Sequence, residues 1–118
     1  MVTIEQMAEA ALEKDNLLLR SLAQDFLQGR PLLNQYPRQR VADQRLLAIA
    51  ASLIELFATR LKQQPPAWTK EIGAVPEPIF LVKSAATMKR LRELCETQSP
   101  EPLRKRGLLA PPNFLEFA

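Results

Sequence analysis

The sequence predicts an all-α fold. It is a single helical domain over residues 1–118, with four or five helices packed around a central helix at about 41–62 and a Pro-rich crossover at 63–80. Three observations predict it. Residues 41–62 read VADQRLLAIAASLIELFATRLK, with no Gly or Pro and many Leu and Ala residues, which favour helix. The apolar residues there repeat at helical spacing over several turns. Pro65, Pro66, Gly73, Pro76 and Pro78 then break regular structure before periodicity resumes.

In the central stretch, Leu46, Ile49, Ala50, Leu53, Phe57 and Leu61 form one apolar stripe, and Leu47, Ala51, Ile54 and Ala58 form a second beside it. Two adjoining stripes make a face wide enough to be contacted from two or three sides. Polar residues keep to a narrow line of Arg45, Ser52, Glu55, Thr59 and Lys62. A dimerisation helix is the alternative, and it requires one stripe to lie bare. At about 1.5 Å per residue the rod is roughly 33 Å long, but Arg45, Glu55 and Arg60 interrupt it too often for a membrane span.

Upstream, Thr3-Ile4-Glu5-Gln6 has capping-box form, and Ile4, Met7, Ala8, Ala11 and Leu12 follow at helical spacing. Asp15-Asn16 is either a break or a polar turn of a continuing helix. Leu18, Leu19, Leu22, Phe26 and Leu27 carry a second apolar face, with Gly29 as a C′ residue and Pro31 as the stop. Leu32, Leu33 and Tyr36 are apolar enough to pack in an irregular segment.

Downstream, Trp68 is expected to plug a gap against the central helix, its indole N–H seeking a partner. Residues 79–82 are extended or helical; periodicity does not decide at that length. Ser84 suits the N-cap of a helix over 85–97, with Ala85, Met88, Leu91, Leu94 and Cys95 inward and Lys83, Lys89, Arg90 and Arg92 outward. Ser99 as N-cap and Pro100 at the first helical position start a short helix that Gly107 ends. Leu108, Leu109, Phe114, Leu115 and Phe117 give the tail anchors for docking.

Composition narrows the function classes. With 47% hydrophobic and 25% charged residues, the 118-residue chain is no disordered protein. One cysteine allows no intrachain disulfide and suits a reducing compartment. The acidic, amphipathic N-terminus lacks signal-peptide form, so the expected location is cytoplasmic. There is no histidine, which removes the commonest general base and zinc ligand. The net charge of +3 is uneven: −3 over residues 1–29 and +6 over residues 30–118.

Two basic clusters are candidate partner- or anion-binding sites. One is Arg104, Lys105 and Arg106, with Arg90 and Arg92 upstream. Three consecutive bases on a helix cannot all point one way, each being about 100° from the next. The plain reading is a solvated face; the functional ones are an acidic protein partner or a phosphate backbone. Aromatic residues, 6% of the chain, do not interleave with the cluster for base stacking. The other cluster is Arg38, Arg40 and Arg45, with Arg30, near Tyr36. It would ion-pair with acids of the first two helices or hold an anion at the start of the central helix. Cys95 reads as a small buried hydrophobe whose pKa Glu93 and Glu96 would raise. The carboxylates form no catalytic or metal-binding pattern. The expectation is a chain with no catalytic residue, metal or cofactor.

The Leu/Ala-rich helix at 48–60, the Pro66-Ala67-Trp68 element, the stretch 76–80, and Ser99-Pro100-Glu101-Pro102-Leu103-Arg104-Lys105-Arg106-Gly107-Leu108 carry a resemblance. Together with 112–115 they resemble the C-terminal region of small uncharacterised bacterial proteins. Those end in S-P-x-x-F-R-R-R-G-I-F and a short tail. Some carry a helix-turn-helix domain, and some are encoded beside nucleotidyltransferase-type proteins of the toxin–antitoxin kind. The resemblance covers roughly 41–117, with Leu103 and Lys105 in place of Phe and Arg. It implies a partner-binding role and supplies no catalytic residue. The expected function is a non-catalytic interaction module, antitoxin-like or an accessory partner of a nucleotidyltransferase-type protein. The alternative is a small basic nucleic-acid-binding protein. Homo-oligomerisation is compatible with either, and no membrane is implied.

Overall fold

A computed structural model describes residues 3–29, 32–38 and 43–115. The expected all-α domain is what it shows. Helices α1 (Ile4–Leu12), α2 (Asn16–Gln28) and α3 (Gln44–Arg60) are followed by strand β1 (Ile79–Phe80), helices α4 (Lys89–Gln98) and α5 (Glu101–Arg104), and strand β2 (Leu108–Leu109). Short 3-10 turns at Leu33–Gln35, Ala67–Glu71 and Lys83–Ala86 fill the connections. Among the described residues, no helix is long and apolar enough to cross a membrane.

Helix α1 starts as its sequence dictates. Thr3 Oγ1 accepts from the Gln6 N–H at 3.2 Å, and Gln6 Oε1 accepts from the Thr3 N–H at 2.9 Å. Asp15-Asn16 is a true break. Lys14 turns left-handed at φ 60°, and the Asp15 N–H reaches back to the Ala10 carbonyl at 3.0 Å. Asp15 then caps α2 by accepting from the Leu18 N–H. The buried face of α2 is Leu19, Ala23 and Phe26, whereas Leu18 is exposed. Leu22 and Leu27 are half-buried against the core, so the apolar face read from sequence holds except at Leu18, which with Leu17 lies uncovered in the first turn. Gly29 caps α2 with ordinary helical φ of −72°, so its freedom to turn left-handed is not used. Pro31 lies outside the described residues.

Helix α3 is the core. Val41 and Ala42 lie outside the described residues; Asp43 is its N-cap and Arg60 its last helical residue. Every residue from Ala48 through Ala58 is buried. Both apolar stripes are covered by α1, α5 and the connections except at Leu61, which is exposed just past the last turn, so α3 is not a bare dimerisation helix. The polar line departs from expectation, because Ser52 and Glu55 are buried with the rest. Lys62 ends the helix left-handed at φ 58°, and the Gln63 N–H bonds the Ala58 carbonyl.

The crossover lies over this helix. Trp68 packs against the core and donates its indole N–H to the Tyr36 carbonyl at 2.8 Å. Tyr36 meets Phe26 edge-on, and Phe26 leans on Phe57. The stretch 79–82 is extended where it pairs: Ile79 lies opposite Leu108 and Phe80 opposite Leu109 in a parallel two-stranded ladder. Asn16 closes the next residues by donating to the Leu81 carbonyl at 2.8 Å and accepting from the Lys83 N–H at 3.0 Å.

Two expected caps act elsewhere. Ser84 lies within a 3-10 turn, and α4 begins only at Lys89, with Met88 exposed at its cap position. Leu91 and Leu94 are half-buried and Cys95 is buried. Ser99 does not cap α5. Its hydroxyl donates to the Cys95 carbonyl and accepts from the Ala110 N–H at 3.0 Å, so it pins the tail to α4. The tail docks through Leu108, Ala110 and Phe114, all buried; Phe117 lies outside the described residues.

Helix α5 ends at Arg104 with Lys105 as its C-cap, and Gly107 turns the chain beyond it at φ +78°, where a Cβ would stand 3.3 Å from Val75 Cγ2. Gly107→Ala is expected to lose about 1–2 kcal/mol in urea unfolding, the cost of a side chain in left-handed backbone. Lys62→Gly should gain roughly 0.5–1 kcal/mol in the same assay, since an exposed left-handed residue is relieved.

Candidate functional site: a buried arginine beside a charged cleft

The polar line of α3 is buried because Arg106 covers it. Gly107 turns the chain after α5 and sends the preceding side chain inward, 1% exposed. Its guanidinium meets five acceptors. Nε donates to the Ile72 carbonyl at 3.1 Å and Nη2 to the Thr69 carbonyl at 2.6 Å. Nη1 donates to Glu55 Oε1 at 2.6 Å and the Pro102 carbonyl at 3.0 Å, and more weakly to Ser52 Oγ at 3.4 Å. One side chain therefore joins α3, the crossover and α5.

Glu55 Oε1 also takes the Lys105 ammonium at 2.9 Å. Burial pushes the Glu55 carboxyl up, but hydrogen bonds from Arg106 and Lys105 outweigh that and hold it below the usual glutamate range. Among the described residues, every buried side-chain nitrogen and oxygen has a partner.

A cleft of about 510 Å³ opens beside this cluster. Glu55, Thr59, Arg60, Lys70, Glu101 and Lys105 line it, and the rings of Pro65, Pro100, Pro102 and Pro112 wall it. Arg60 reaches across to donate to the Phe114 carbonyl.

The structure splits the first basic cluster. Arg104 is exposed, Lys105 folds half-exposed onto Glu55, and Arg106 is interior. Arg106 is therefore no contact surface for a partner: its donors are occupied within the fold. Arg90 and Arg92 lie on exposed α4. Arg92 pairs with Glu96 at 3.3 Å, one turn on, and lies over the Phe80 ring at 5.4 Å from its centroid. No acid pairs with Arg90 or Arg104 among the described residues.

The described members of the second cluster, Arg38 and Arg45, pair with acids other than those of α1 and α2. Arg45 turns back on its own cap, meeting Asp43 through Nε and Nη2 at 3.3 and 3.1 Å. Its side-chain and backbone hydrogen bonds hold the Asp43 carboxyl below its usual range. Arg38 reaches Glu71 of the crossover at 3.7 Å. Arg30 and Arg40 lie outside the described residues. Cys95 is buried, and burial, with Glu96 nearby, pushes its thiol up and away from the thiolate form.

Sequence reading missed Glu55, Ser52, Lys70 and the role of Arg106. The signal was present in two polar residues one turn apart, Ser52 and Glu55, inside an otherwise apolar run. A buried polar pair requires a partner from elsewhere in the chain.

Arg106→Lys is expected to lose roughly 3 kcal/mol in chemical unfolding, because an ammonium cannot reproduce the planar fork and leaves buried acceptors unmade. A pH dependence follows from Glu55. A carboxyl held below its ordinary value stabilises the fold fully above the unfolded-state pKa. That stability is lost as pH falls through the lower folded value. The stability gap between the wild type and Glu55→Gln should therefore shrink on acidification below the ordinary glutamate pKa, as read by denaturant titration at several pH values.

No family model matches the chain, and comparisons with curated proteins and with solved structures likewise yield no match.

Proposed function

We propose that this chain is a non-catalytic protein-interaction module. The observation that supports this reading best is Leu17, 83% exposed beside Leu18 at the start of α2. Leu17 borders a shallow cleft of about 440 Å³ that also includes Val82, Leu91 and Phe114. Large apolar side chains grouped around such a cleft are the kind of surface a protein partner covers. The Glu55–Arg106 charges, in contrast, are spent on holding the fold. The resemblance of 41–117 is to small bacterial proteins, some of them encoded beside nucleotidyltransferase-type proteins of the toxin–antitoxin kind; a protein of that type is the first partner to test, with this chain as its antitoxin-like or accessory subunit. A second reading, nucleic-acid binding, draws on the exposed and acid-free Arg90 and Arg104. Arg38, Arg45, Arg92 and Lys105 weigh against it, because each is already paired with an acid.

Affinity purification of the tagged chain from its native host should recover a stoichiometric protein, and Leu17→Ser/Leu18→Ser should lose it while unfolding at an unchanged denaturant midpoint. Recovery of the chain alone, or of nucleic acid released by moderate salt, would count against the module reading.

A further inference from the structure

We propose that the groove beside Leu17 takes an acidic amphipathic helix of the partner protein. The inference rests on the protein-interaction reading above and adds the chemistry of what is bound. Residues from three stretches line the groove: 16–20 at the start of α2, 82–91 leading into α4, and 111–115 of the tail. These stretches read NLLLR, VKSAATMKRL and PPNFL, with four cations and no carboxylate. Arg20 is already engaged within the fold, so the balance rests on the other three. Lys83 stands between Val82 and Ser84, and Lys89 and Arg90 directly precede Leu91 in the first turn of α4. All three are exposed, and no acid pairs with them among the described residues.

The acids nearest in sequence do not cancel this excess. Asp15 is turned onto the N-terminus of α2 as its cap, and Glu96 is paired with Arg92. Glu93 is exposed on α4, and Glu116 follows Leu115 outside the described residues; set against three cations, the two still leave positive charge. Hydrogen bonding in the groove is partly spent, since Asn16 already serves the Leu81 carbonyl and the Lys83 N–H. Neither β1 nor β2 lines the groove, so an extended segment finds no strand edge to join there. A bare polyanion would leave Leu17 uncovered. An apolar floor with a cationic rim and no open ladder is the counterpart of a helix whose leucine face is flanked by Asp and Glu. The apolar face supplies affinity, and the carboxylates set orientation and speed the encounter.

Fluorescence anisotropy with the full chain tests this with two labelled helical peptides that share one leucine face and carry either Glu or Lys on its flanks. Saturable binding of the Glu peptide is expected, about tenfold tighter than the Lys peptide at low ionic strength and weakening as salt rises. Lys83→Glu and Arg90→Glu should each weaken it about threefold. Leu17→Ser/Leu18→Ser should abolish it, and Arg104→Glu, on α5 outside the groove, should change nothing. The substituted side chains are exposed, so the variants should fold. Equal affinity for the two peptides, no saturable binding of either, or indifference to the charge reversals would overturn the assignment. So would phosphatidylglycerol vesicles that displace the Glu peptide. The protein-interaction reading fails separately, when affinity purification recovers no protein. A partner retained by Lys83→Glu/Arg90→Glu but lost with Leu17→Ser/Leu18→Ser leaves that reading standing and removes only the acidic helix.

Discussion

A guanidinium taken out of water must find its hydrogen bonds inside the protein, and Arg106 imposes that demand on three separate parts of this chain. Leaving water costs several kcal/mol per ion, and a good partner geometry has to offset it. Glu55 supplies the opposite charge, Ser52 a weaker acceptor, and Thr69, Ile72 and Pro102 supply carbonyls. Two of those carbonyls belong to the crossover, where the Thr69 carbonyl also accepts from the Ile72 N–H within the 3-10 turn. The arginine therefore ties that turn to α3 and α5. It also explains why a helix with a polar line can be buried from Ala48 to Ala58, since that line faces a donor instead of solvent.

The backbone at the same place orders the tail. The Arg106 carbonyl accepts from the Val75 N–H, and the Gly107 carbonyl accepts from Ile79, which opens the parallel ladder between β1 and β2. Only a residue tolerant of left-handed backbone can turn the chain between the inward arginine and the strand. Gly107 is that residue. Ser99 secures the other side by bridging Cys95 and Ala110. The segment from Ser99 to Ala110 thus works as a clasp across α3 and α4.

What was legible in the sequence was local. The Thr3–Gln6 capping box, the extent of α3, the turn at Gly107 and the burial of Cys95 follow from propensity, periodicity and backbone sterics over a few residues. What was not legible depends on distant partners. Ser84 and Ser99 have the chemistry of N-caps, but a hydroxyl also serves wherever a carbonyl and an N–H come together, and Ser99 found those in α4 and the tail. Leu18 and Met88 fit an apolar stripe by spacing alone, yet each sits at a helix start, where no neighbouring element covers it. The run Arg104-Lys105-Arg106 looked like one basic patch. Helical geometry already required it to diverge, and the destination of the third residue depended on Glu55, fifty-one positions away in the chain.

The charge pattern limits what such a molecule can bind without selection. Glu5, Glu9, Glu13 and Asp25 on or beside α1 and α2 have no ion-pair partner among the described residues, and neither have Arg90 and Arg104 at the other end of the chain. Other surface charges pair locally instead: Arg38 with Glu71, Arg45 with Asp43 and Arg92 with Glu96. Exposed pairs of this kind add little to stability, about 0–1 kcal/mol each, but they commit cations that a phosphate backbone would otherwise draw on. Charge left unpaired at separate points of a surface serves the specificity of an encounter more than its affinity.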